Sequence, residues 1–372
     1  MKFLIAGDLV VNKEYDADNN IDSALVKFFS NSDCNIINLE APVTNSNIKI
    51  IKTGPHLKAV KNSTLNVIKK LNINYIALAN NHIKDYGEEG VVDTIKFCEE
   101  NYIKTIGAGK NSEIAAETKI LDTPEGKIAL INIAENEWSS AEENTAGANG
   151  MNLIKDIRKI QEAKNNSDFV FVIIHGGHEY YNLPSPRIKE QYRFYIEQGA
   201  DLVVSHHTHC ISGYELYKGK YIYYGLGNFL FTHESKYEEW YKGLVLEVVI
   251  ENKQIRCELH PISQSKNNYL LSLLDGSEKK LLIEEINNLS EIIQNHVSLQ
   301  YEWKKFVSQK KVFYLNYFSP LSFVKSRYIK AILRRLHLTF INKPGLSLLL
   351  NLIRCEAHHD VSKAVIKDYL EK

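Results

Sequence analysis

The chain has 372 residues, of which 44% are hydrophobic and 24% charged, and its formal net charge at pH 7 is zero. This length allows a substantial core and this composition is that of a soluble globular protein, while the zero net charge provides no global field that would favour a nucleic-acid partner. The five cysteines are odd in number and form no CxxC pair, which argues against a disulfide framework and favours a reducing compartment.

Five apolar runs are each followed by residues able to bind or assist a metal. In chain order, KFLIA, CNIIN, NYIALA, FVFVII and DLVVS precede Asp8, Glu40, Asn81, His175 and the histidines at positions 206–209. We interpret each run as a β-strand of an α/β fold, in which ligand sites gather at the carboxyl ends of the strands. Carboxylate, amide and imidazole donors suit Mn, Fe or Zn. The five segments therefore predict one metal site.

Each of these residues, taken singly, also has a structural explanation. Asp8 and Asn81 fit turn or cap positions, because Asp and Asn favour turns. His175 fits a core histidine with satisfied hydrogen bonds. The metal site is the better interpretation because all five strand ends carry side chains of the ligand type.

Helical segments alternate with these strands. Apolar residues recur every three or four positions over residues 21–30, 57–71, 90–101, 153–164 and 186–198. This alternation predicts a layered α/β domain. Beyond Gly213, the stretches GYELYKGKYIYYGLG and GLVLEVVIENKQIRCELHPI predict a second, antiparallel-rich sheet, with a hairpin turn at ENKQ, that closes the domain near Ile262.

Residues 263–372 lose these motifs, and we predict a mainly helical accessory region there. Residues 301–372 carry a charge balance of +9, which leaves −9 for residues 1–300. In KSRYIKAILRRLHL (325–338), a positive helix face adjoins Ile329, Ile332, Leu333 and Leu336. Two interpretations stay open: the apolar side packs on the acidic domain, or the helix lies on an anionic membrane surface or an acidic partner.

The sequence contains no run of the roughly 18 apolar residues that a membrane-spanning helix needs, and GLSLLLNLI (345–353) is too short. The opening MKFLIAGD leads directly into Asp8 and leaves no room for a signal peptide. We therefore expect a cytoplasmic location, with peripheral membrane contact through the basic C-terminal region as a further option.

Three longer stretches resemble the CapA, or poly-gamma-glutamate (capsule) synthesis protein, family. They are ALANNHIKDYGEEG (77–90), IIHGGHEYYNLPSPRIKEQ (173–191) and GADLVVSHHTHCISGYELYKGKYIYYGLGNFLF (199–231), and the resemblance extends over about residues 1–250. That family has a calcineurin-like metallophosphoesterase fold. The resemblance thus implies an α/β fold, a layered α/β/β/α sandwich, over residues 1–262, followed by the helical extension of residues 263–372.

The resemblance also implies a role for each candidate residue. Asp8 is a metal ligand, Glu40 a bridging carboxylate and Asn81 an amide ligand, while His175, His207 and His209 are imidazole ligands for one or two divalent ions. His82 is the implied catalytic histidine. The implied substrate-binding or supporting residues are Glu179, Tyr180, Gln191 and Asp85. One departure is Val10, which stands where the wider phosphoesterase pattern has histidine, so one metal position lacks a ligand.

Two functions follow from this resemblance. The first is a metal-dependent, phosphoesterase-like hydrolase that cleaves a phosphate ester or amide bond in capsule or surface-polymer biosynthesis. In it, Glu40 bridges two cations about 3.5–4 Å apart and His82 protonates the leaving group. The second is a non-hydrolytic, metal-stabilised component that binds the polymer or its synthesis machinery. Val10 favours the second function, whereas Asn81 and His82 favour the first.

Overall fold

A computed structural model of the chain describes residues 1–336 and 340–371. The strands are β1 (Lys2–Val10), β2 (Cys34–Leu39), β3 (Tyr75–Ala77), β4 (Lys104–Ile106), β5 (Ala108–Gly109), β6 (Lys119–Thr123), β7 (Gly126–Ala134), β8 (Gly147–Ala148), β9 (Phe169–His175), β10 (Leu202–His206), β11 (Tyr214–Tyr217), β12 (Lys220–Tyr223), β13 (Asn228–Phe231), β14 (Lys242–Glu251), β15 (Gln254–Gln264) and β16 (Leu271–Leu273).

The helices are α1 (Ala17–Asn20), α2 (Ser23–Ser30), α3 (Lys61–Lys70), α4 (Gly87–Glu100), α5 (Ser112–Ala115), α6 (Leu153–Asn166), α7 (Pro186–Glu197), α8 (Gly276–Gln294), α9 (His296–Phe318), α10 (Arg327–Arg335), α11 (Lys343–Arg354) and α12 (Glu356–Glu371). Each of the five predicted helical segments overlaps one of α2, α3, α4, α6 and α7. The second of these, α3, begins later than predicted, at Lys61, because residues 57–60 lie outside any helix or strand.

Two mixed sheets form the centre of the fold. The first has the order β16-β15-β14-β1-β2-β3-β4, with β13 also paired to β1, and its strands β1 to β4 are parallel. The second has the order β11-β12-β10-β9-β7-β6, in which β7, β9, β10 and β12 are parallel. Parallel neighbours need crossover connections. Helices separate most of these pairs along the chain, whereas β10 and β12 are separated by β11.

The strand β1 is buried on both faces, and its alternate residues enter two different cores. Phe3 and Ile5 point towards the second sheet, where the ring of Phe3 meets Phe171 edge-on at 5.8 Å. Leu4 and Ala6 point the other way, into the core shared with α2, α3 and α4. Helices α6 and α7 pack on the second sheet. These layers confirm the predicted α/β/β/α sandwich.

The strands beyond Gly213 do not form a separate sheet, so that expectation was wrong. The hairpin β11–β12 extends the second sheet, whereas β14 to β16 extend the first sheet alongside β1. The free edge of β1 opposite β2 needs backbone hydrogen-bond partners, and β14 provides them. The predicted ENKQ turn is confirmed, because Asn252 and Lys253 have φ values of 51° and 61°, as a two-residue type I′ turn requires.

The chain divides into two compact units, Met1–Gln300 and Tyr301–Lys372. The predicted division at Ile262 is therefore not where the contacts divide. The strand β15 continues to Gln264 and pairs with β16, and α8 buries Leu282, Ile286 and Ile293. Residues 263–300 thus belong structurally to the first unit.

The second unit consists of helices with many exposed apolar side chains. On α10, Ile329 and Ile332 are 51% and 59% exposed, beside the basic residues of the same helix. His337 and Leu338, which complete the predicted basic segment, lie outside the described residues. In the part of the chain that the structure describes, no helix is both long and apolar enough to cross a membrane.

Truncation tests this division of the chain. A protein ending at Gln300 should unfold cooperatively, because the buried side chains of α8 remain in place. A protein ending at Ile262 loses four buried leucine and isoleucine side chains of α8, each contributing about 1.5–3 kcal/mol. That loss rivals the total stability of a domain, about 5–15 kcal/mol. Thermal unfolding, monitored by circular dichroism, measures the melting temperatures of the two truncated proteins. Equal melting temperatures would contradict the boundary at Gln300.

Candidate metal centre

All the predicted ligands lie at the carboxyl ends of parallel strands. Asp8 is near the end of β1, Glu40 follows β2, and Asn81 follows β3 within a short turn. From the second sheet, His175 ends β9, and His207 and His209 follow β10. Their residues are at most 7% exposed. The two sheets thus bring the predicted ligands together in one buried cluster.

Glu40 lies at the middle of this cluster and belongs to two groups of possible ligands. One group is Glu40, His175 and His207, and the other is Asp8, Glu40 and His209, with the ligand atoms in each within 4.8 Å of one another. The Glu40 Oε1 atom is 3.3 Å from His175 Nε2 and 3.8 Å from His209 Nε2.

The two groups differ in the number of donors. Asn81 Oδ1 lies 3.0 Å from His175 Nε2, so the amide oxygen adds a fourth donor to the group of Glu40, His175 and His207. The group containing Asp8 has three donors. Val10, which follows Asp8 closely in the sequence, has a fully buried apolar side chain. The arrangement therefore offers two metal positions of unequal ligand number.

Neighbouring amides hold these ligands in place. Asn38 Nδ2 donates to Asp8 Oδ1 at 2.6 Å, and the backbone N–H of His207 donates to Asp8 Oδ2 at 3.1 Å. Asn228 Oδ1 lies 2.9 Å from His209 Nδ1. A hydrogen bond at one ring nitrogen fixes the tautomer and directs the other nitrogen, here Nε2, at the cluster.

The backbone at this edge is strained. His207 and His209 have φ values of 89° and 52°, in the left-handed region that costs a non-glycine residue about 1–3 kcal/mol. Gly7 permits a close approach of two segments, because a Cβ atom there would lie 2.1 Å from the carbonyl oxygen of Gly227. This approach brings Asp8 beside Asn228 and His209.

Burial dominates the electrostatics of the cluster. Loss of hydration raises the pKa of Asp8 and of Glu40, and neighbouring carboxylates raise that of Glu40 further. The same loss of hydration lowers the pKa of His207 to about 3 and that of His209 to about 4, and it also lowers the pKa of His175. The imidazoles are therefore neutral at pH 7, which is the form that binds metal.

The donor set fits a divalent cation. Both carboxylate oxygens of Glu40 are buried and lack a hydrogen-bond partner among the described residues. Such a group is costly to bury unless something compensates for it. Neutral imidazoles cannot neutralise a carboxylate, whereas a cation bound by Glu40 and the histidines can. Carboxylate, amide oxygen and imidazole together match Mn, Fe or Zn.

His82 is held beside the ligands by a buried ion pair. Its Nδ1 atom lies 2.7 Å from Asp85 Oδ2 and 3.1 Å from Lys52 Nζ, and Lys52 Nζ also bonds to Asp85 Oδ1. The Lys52 and Asp85 side chains are 2% and 0% exposed. With Nδ1 directed at a carboxylate, Nε2 is the nitrogen available to a substrate. Burial lowers the pKa of His82, while Asp85 raises it.

Aromatic and acidic residues border the cluster on its outer side. Tyr180 lies with its ring 6.2 Å from that of His209, and it stacks on Tyr237 at 4.6 Å. Burial raises the pKa of Tyr180 to about 12, and the carboxylate of Glu179 contributes to this rise. Glu179 also raises the pKa of Glu40. Glu179 and Tyr180 therefore lie near the ligands, as the sequence predicts.

Gln191 is further from the centre. It lies on α7, where its amide group contacts Arg187, Tyr195 and Met151. Arg187 in turn contacts Glu135, which accepts a hydrogen bond from the backbone of Gly177. The structure thus connects Gln191 to the loop after His175 through intermediate residues rather than placing it among the ligands.

Several residues at the site are not among the predicted ligands or the predicted catalytic and supporting residues. They are Asn38, Lys52, Glu137, Asn228 and His206. Asn38 and Asn228 occur in predicted strand-end motifs, which is a signal that could have identified them, whereas Lys52 and Glu137 occur in irregular segments. His206 is buried with neither ring nitrogen hydrogen-bonded in the described structure, and its Nδ1 lies 3.9 Å from Asp8 Oδ1.

Known proteins resemble this chain over most of its length. The capsule biosynthesis protein CapA of Bacillus anthracis is 30% identical over 299 residues, which are 75% of this chain and 72% of that protein. The PGA biosynthesis protein CapA of Bacillus subtilis (strain 168) is 32% identical over 259 residues, which are 67% and 66% of the two chains. A crystal structure described as a novel phosphatase from Mycoplasma pneumoniae aligns with a TM-score of 0.45 and 13% identity, covering 73% of this chain and 96% of that one.

The sequence profile described as bacterial capsule synthesis protein PGA_cap matches residues 3–233. This span is more than half of the chain and contains every candidate ligand together with His82. The match confirms the resemblance to the CapA family seen in the sequence. The chain therefore belongs to the bacterial capsule synthesis protein family PGA_cap.

Proposed function

We propose that this protein is a metal-dependent hydrolase of the phosphoesterase type that acts in capsule or surface-polymer biosynthesis. The observation that supports this proposal is the position of His82, which the buried pair of Asp85 and Lys52 holds at Nδ1 next to the ligand Asn81. A metal with a purely structural role needs no such imidazole. A hydrolytic centre needs a proton donor near, but outside, its ligand set.

The ligands would hold one or two divalent ions. They are Asp8, Glu40, Asn81, His175, His207 and His209. When bound, such ions supply Lewis-acid activation of a phosphoryl or carbonyl group and of water. Glu40, common to both groups of ligands, would help to hold an ion in either position.

His82 is the residue of the chain that acts on the leaving group. Its Nδ1–H donates to Asp85, and in the imidazolium form its Nε2–H can deliver a proton to the departing oxygen or balance the charge that develops there. Lys52 balances the charge of Asp85 and thereby keeps this carboxylate in place as the acceptor for Nδ1–H. This mechanism requires no covalent protein nucleophile.

The substrate belongs to the polymer pathway of the family. The names of the Bacillus relatives refer to capsule and PGA biosynthesis, which supports a phosphate ester or amide bond in a surface polymer or its precursor as the target. Glu179 and Tyr180, at the outer side of the cluster, are the candidate substrate contacts. The partner is the polymer or its synthesis machinery, and the predicted cytoplasmic location, with contact at the cell envelope, remains a prediction.

A second candidate is a metal-stabilised component of the polymer assembly that breaks no bond. The observation that favours it is Val10, a buried apolar side chain near the three-donor position. A screen of phosphomonoester, phosphodiester and poly-glutamate substrates distinguishes the two. Full metal loading without any turnover would support the assembly component.

Replacement of His82 separates catalysis from metal binding. His82→Ala should leave metal content nearly unchanged, since His82 is not in either ligand group, and should lower the hydrolytic rate by about 10²–10⁴, the usual contribution of a positioned general acid. His175→Ala is the matched control and should lose metal and activity together. Mass spectrometry measures the metal content of the two variants, and steady-state kinetics measure their hydrolytic rates. Full turnover by His82→Ala would refute the assigned role.

The two metal positions should differ in affinity. The position with four donors should fill first, and the position of Asp8, Glu40 and His209 should fill second, because water must complete its coordination. Calorimetric titration of the metal-free protein with Mn²⁺ should show two unequal steps. His209→Ala should remove the weaker step and His207→Ala should weaken the stronger one. Two equally tight sites in the unaltered protein would contradict this order.

We also infer that the second unit contacts an anionic membrane surface. Residues 301–372 carry a balance of +9, and apolar side chains on α10, including Ile329 and Ile332, are more than half exposed next to basic residues. A helix with adjacent apolar and basic surfaces binds anionic lipid by apolar insertion and charge attraction. This contact would place the first unit near membrane-associated polymer synthesis.

Vesicle binding tests this inference. The full chain should sediment with phosphatidylglycerol vesicles and not with phosphatidylcholine vesicles, and added salt should weaken binding because it screens surface charges. Arg327→Glu combined with Lys330→Glu should reduce binding, since each basic residue near such a surface contributes about 1 kcal/mol. Lys155→Glu, in the first unit, is the control. Equal binding to both lipids, or by the double variant, would contradict the inference.

A further inference from the structure

Glu137 lies beside two of the metal-ligand candidates although no motif identifies it. It belongs to the segment that follows β7, and its side chain is 38% exposed. Glu179 lies near enough to act on it electrostatically. Two neighbouring carboxylates repel each other, and the ammonium group of Lys52 partly offsets this repulsion at Glu137.

The contact with Asn81 determines which way that amide points. The Asn81 amide lies close enough to the Glu137 carboxylate to act on it as a hydrogen-bond donor. Its oxygen, Oδ1, faces the opposite direction and lies 3.0 Å from His175 Nε2. A carboxylate accepts only from the –NH₂ arm of an amide. Glu137 therefore holds Asn81 in the orientation that presents oxygen, the atom a metal binds, to the cluster.

The contact with His207 has the same consequence for an imidazole. Glu137 Oε1 lies 3.7 Å from His207 Nε2. The other ring nitrogen, Nδ1, is buried and has no hydrogen-bond partner in the described part of the chain. A carboxylate next to Nε2 favours the proton at that nitrogen, which leaves the lone pair on Nδ1 for a metal.

We propose that Glu137 is a positioning residue for the metal centre, which orients Asn81 and His207 together through one carboxylate. This inference rests on the proposed metal centre and extends it. Both ligands belong to the four-donor position, so Glu137 acts on that position selectively. The two metal positions then differ in how well their ligands are preorganised as well as in how many ligands they have.

Metal titration of the full chain tests this role without any substrate. Glu137→Ala should weaken the first, tighter Co²⁺-binding step by about 10–100-fold, the usual effect of losing a carboxylate that orients a ligand. Glu137→Gln retains an amide oxygen that can accept from Asn81, so it should recover part of the affinity. Glu143→Ala, an exposed glutamate nearby in the sequence, is the matched control and should bind Co²⁺ like the unaltered chain.

A double-mutant cycle with Asn81→Ala tests the route of the effect. Since part of the role of Glu137 acts through Asn81, Glu137→Ala should weaken Co²⁺ binding less in the Asn81→Ala background than in the unaltered chain. The proposal would be overturned if a folded Glu137→Ala protein bound Co²⁺ with unchanged affinity. It would also be overturned if the two substitutions were fully additive and Glu137→Gln recovered no affinity. Failure of the unaltered chain to bind Co²⁺, Mn²⁺ or Zn²⁺ would instead overturn the metal centre itself.

Discussion

The buried carboxylate of Glu40 is the constraint on which the rest of the site depends. Its oxygens have no hydrogen-bond donor among the described residues, and burying an ionised group in this way is strongly unfavourable unless a charge of opposite sign is close. The neighbouring imidazoles cannot provide that charge, because burial lowers their pKa values. The cluster thus offers a group of donors that could hold a cation.

The sandwich architecture explains how such a cluster is held. Asp8, Glu40 and Asn81 come from the first sheet, whereas His175, His207 and His209 come from the second. The core between the sheets, including the contact of Phe3 with Phe171, fixes the separation of the two sets. Side chains packed at this density transmit displacements, so a core substitution far from the cluster would alter the distances among the candidate ligands.

The sequence allowed prediction of those parts of the site that depend on local pattern. An apolar run followed by a polar ligand identifies a strand end, and this rule located Asp8, Glu40, Asn81 and the histidines. The resemblance to a known family supplied His82 and Asp85. Lys52 and Glu137 could not be found in this way, because each occurs in an irregular segment, and only the folded chain brings them to His82, Asn81 and His207.

The pairing of β14 with β1 also could not be predicted from the local sequence. The alternating residues of β14 and β15 identify strands and even their turn, but the local sequence contains no information about which sheet edge they join. The choice depends on the free edge of β1, more than two hundred residues away. Likewise, the apolar period of α8 predicts a helix without showing that the first unit buries it.

That pairing of β1 with β14 has a consequence for how the protein is made. Lys2 pairs with Val249, and the orientation of His209 depends on Asn228, which follows the segment packed against Gly7. During synthesis, β1 must remain without this neighbour until residues 242–251 have left the ribosome. Contacts of such long sequence separation form late and slowly. Throughout this interval β1 lacks the strand that covers its edge in the folded protein, so this edge is open to pairing with other chains.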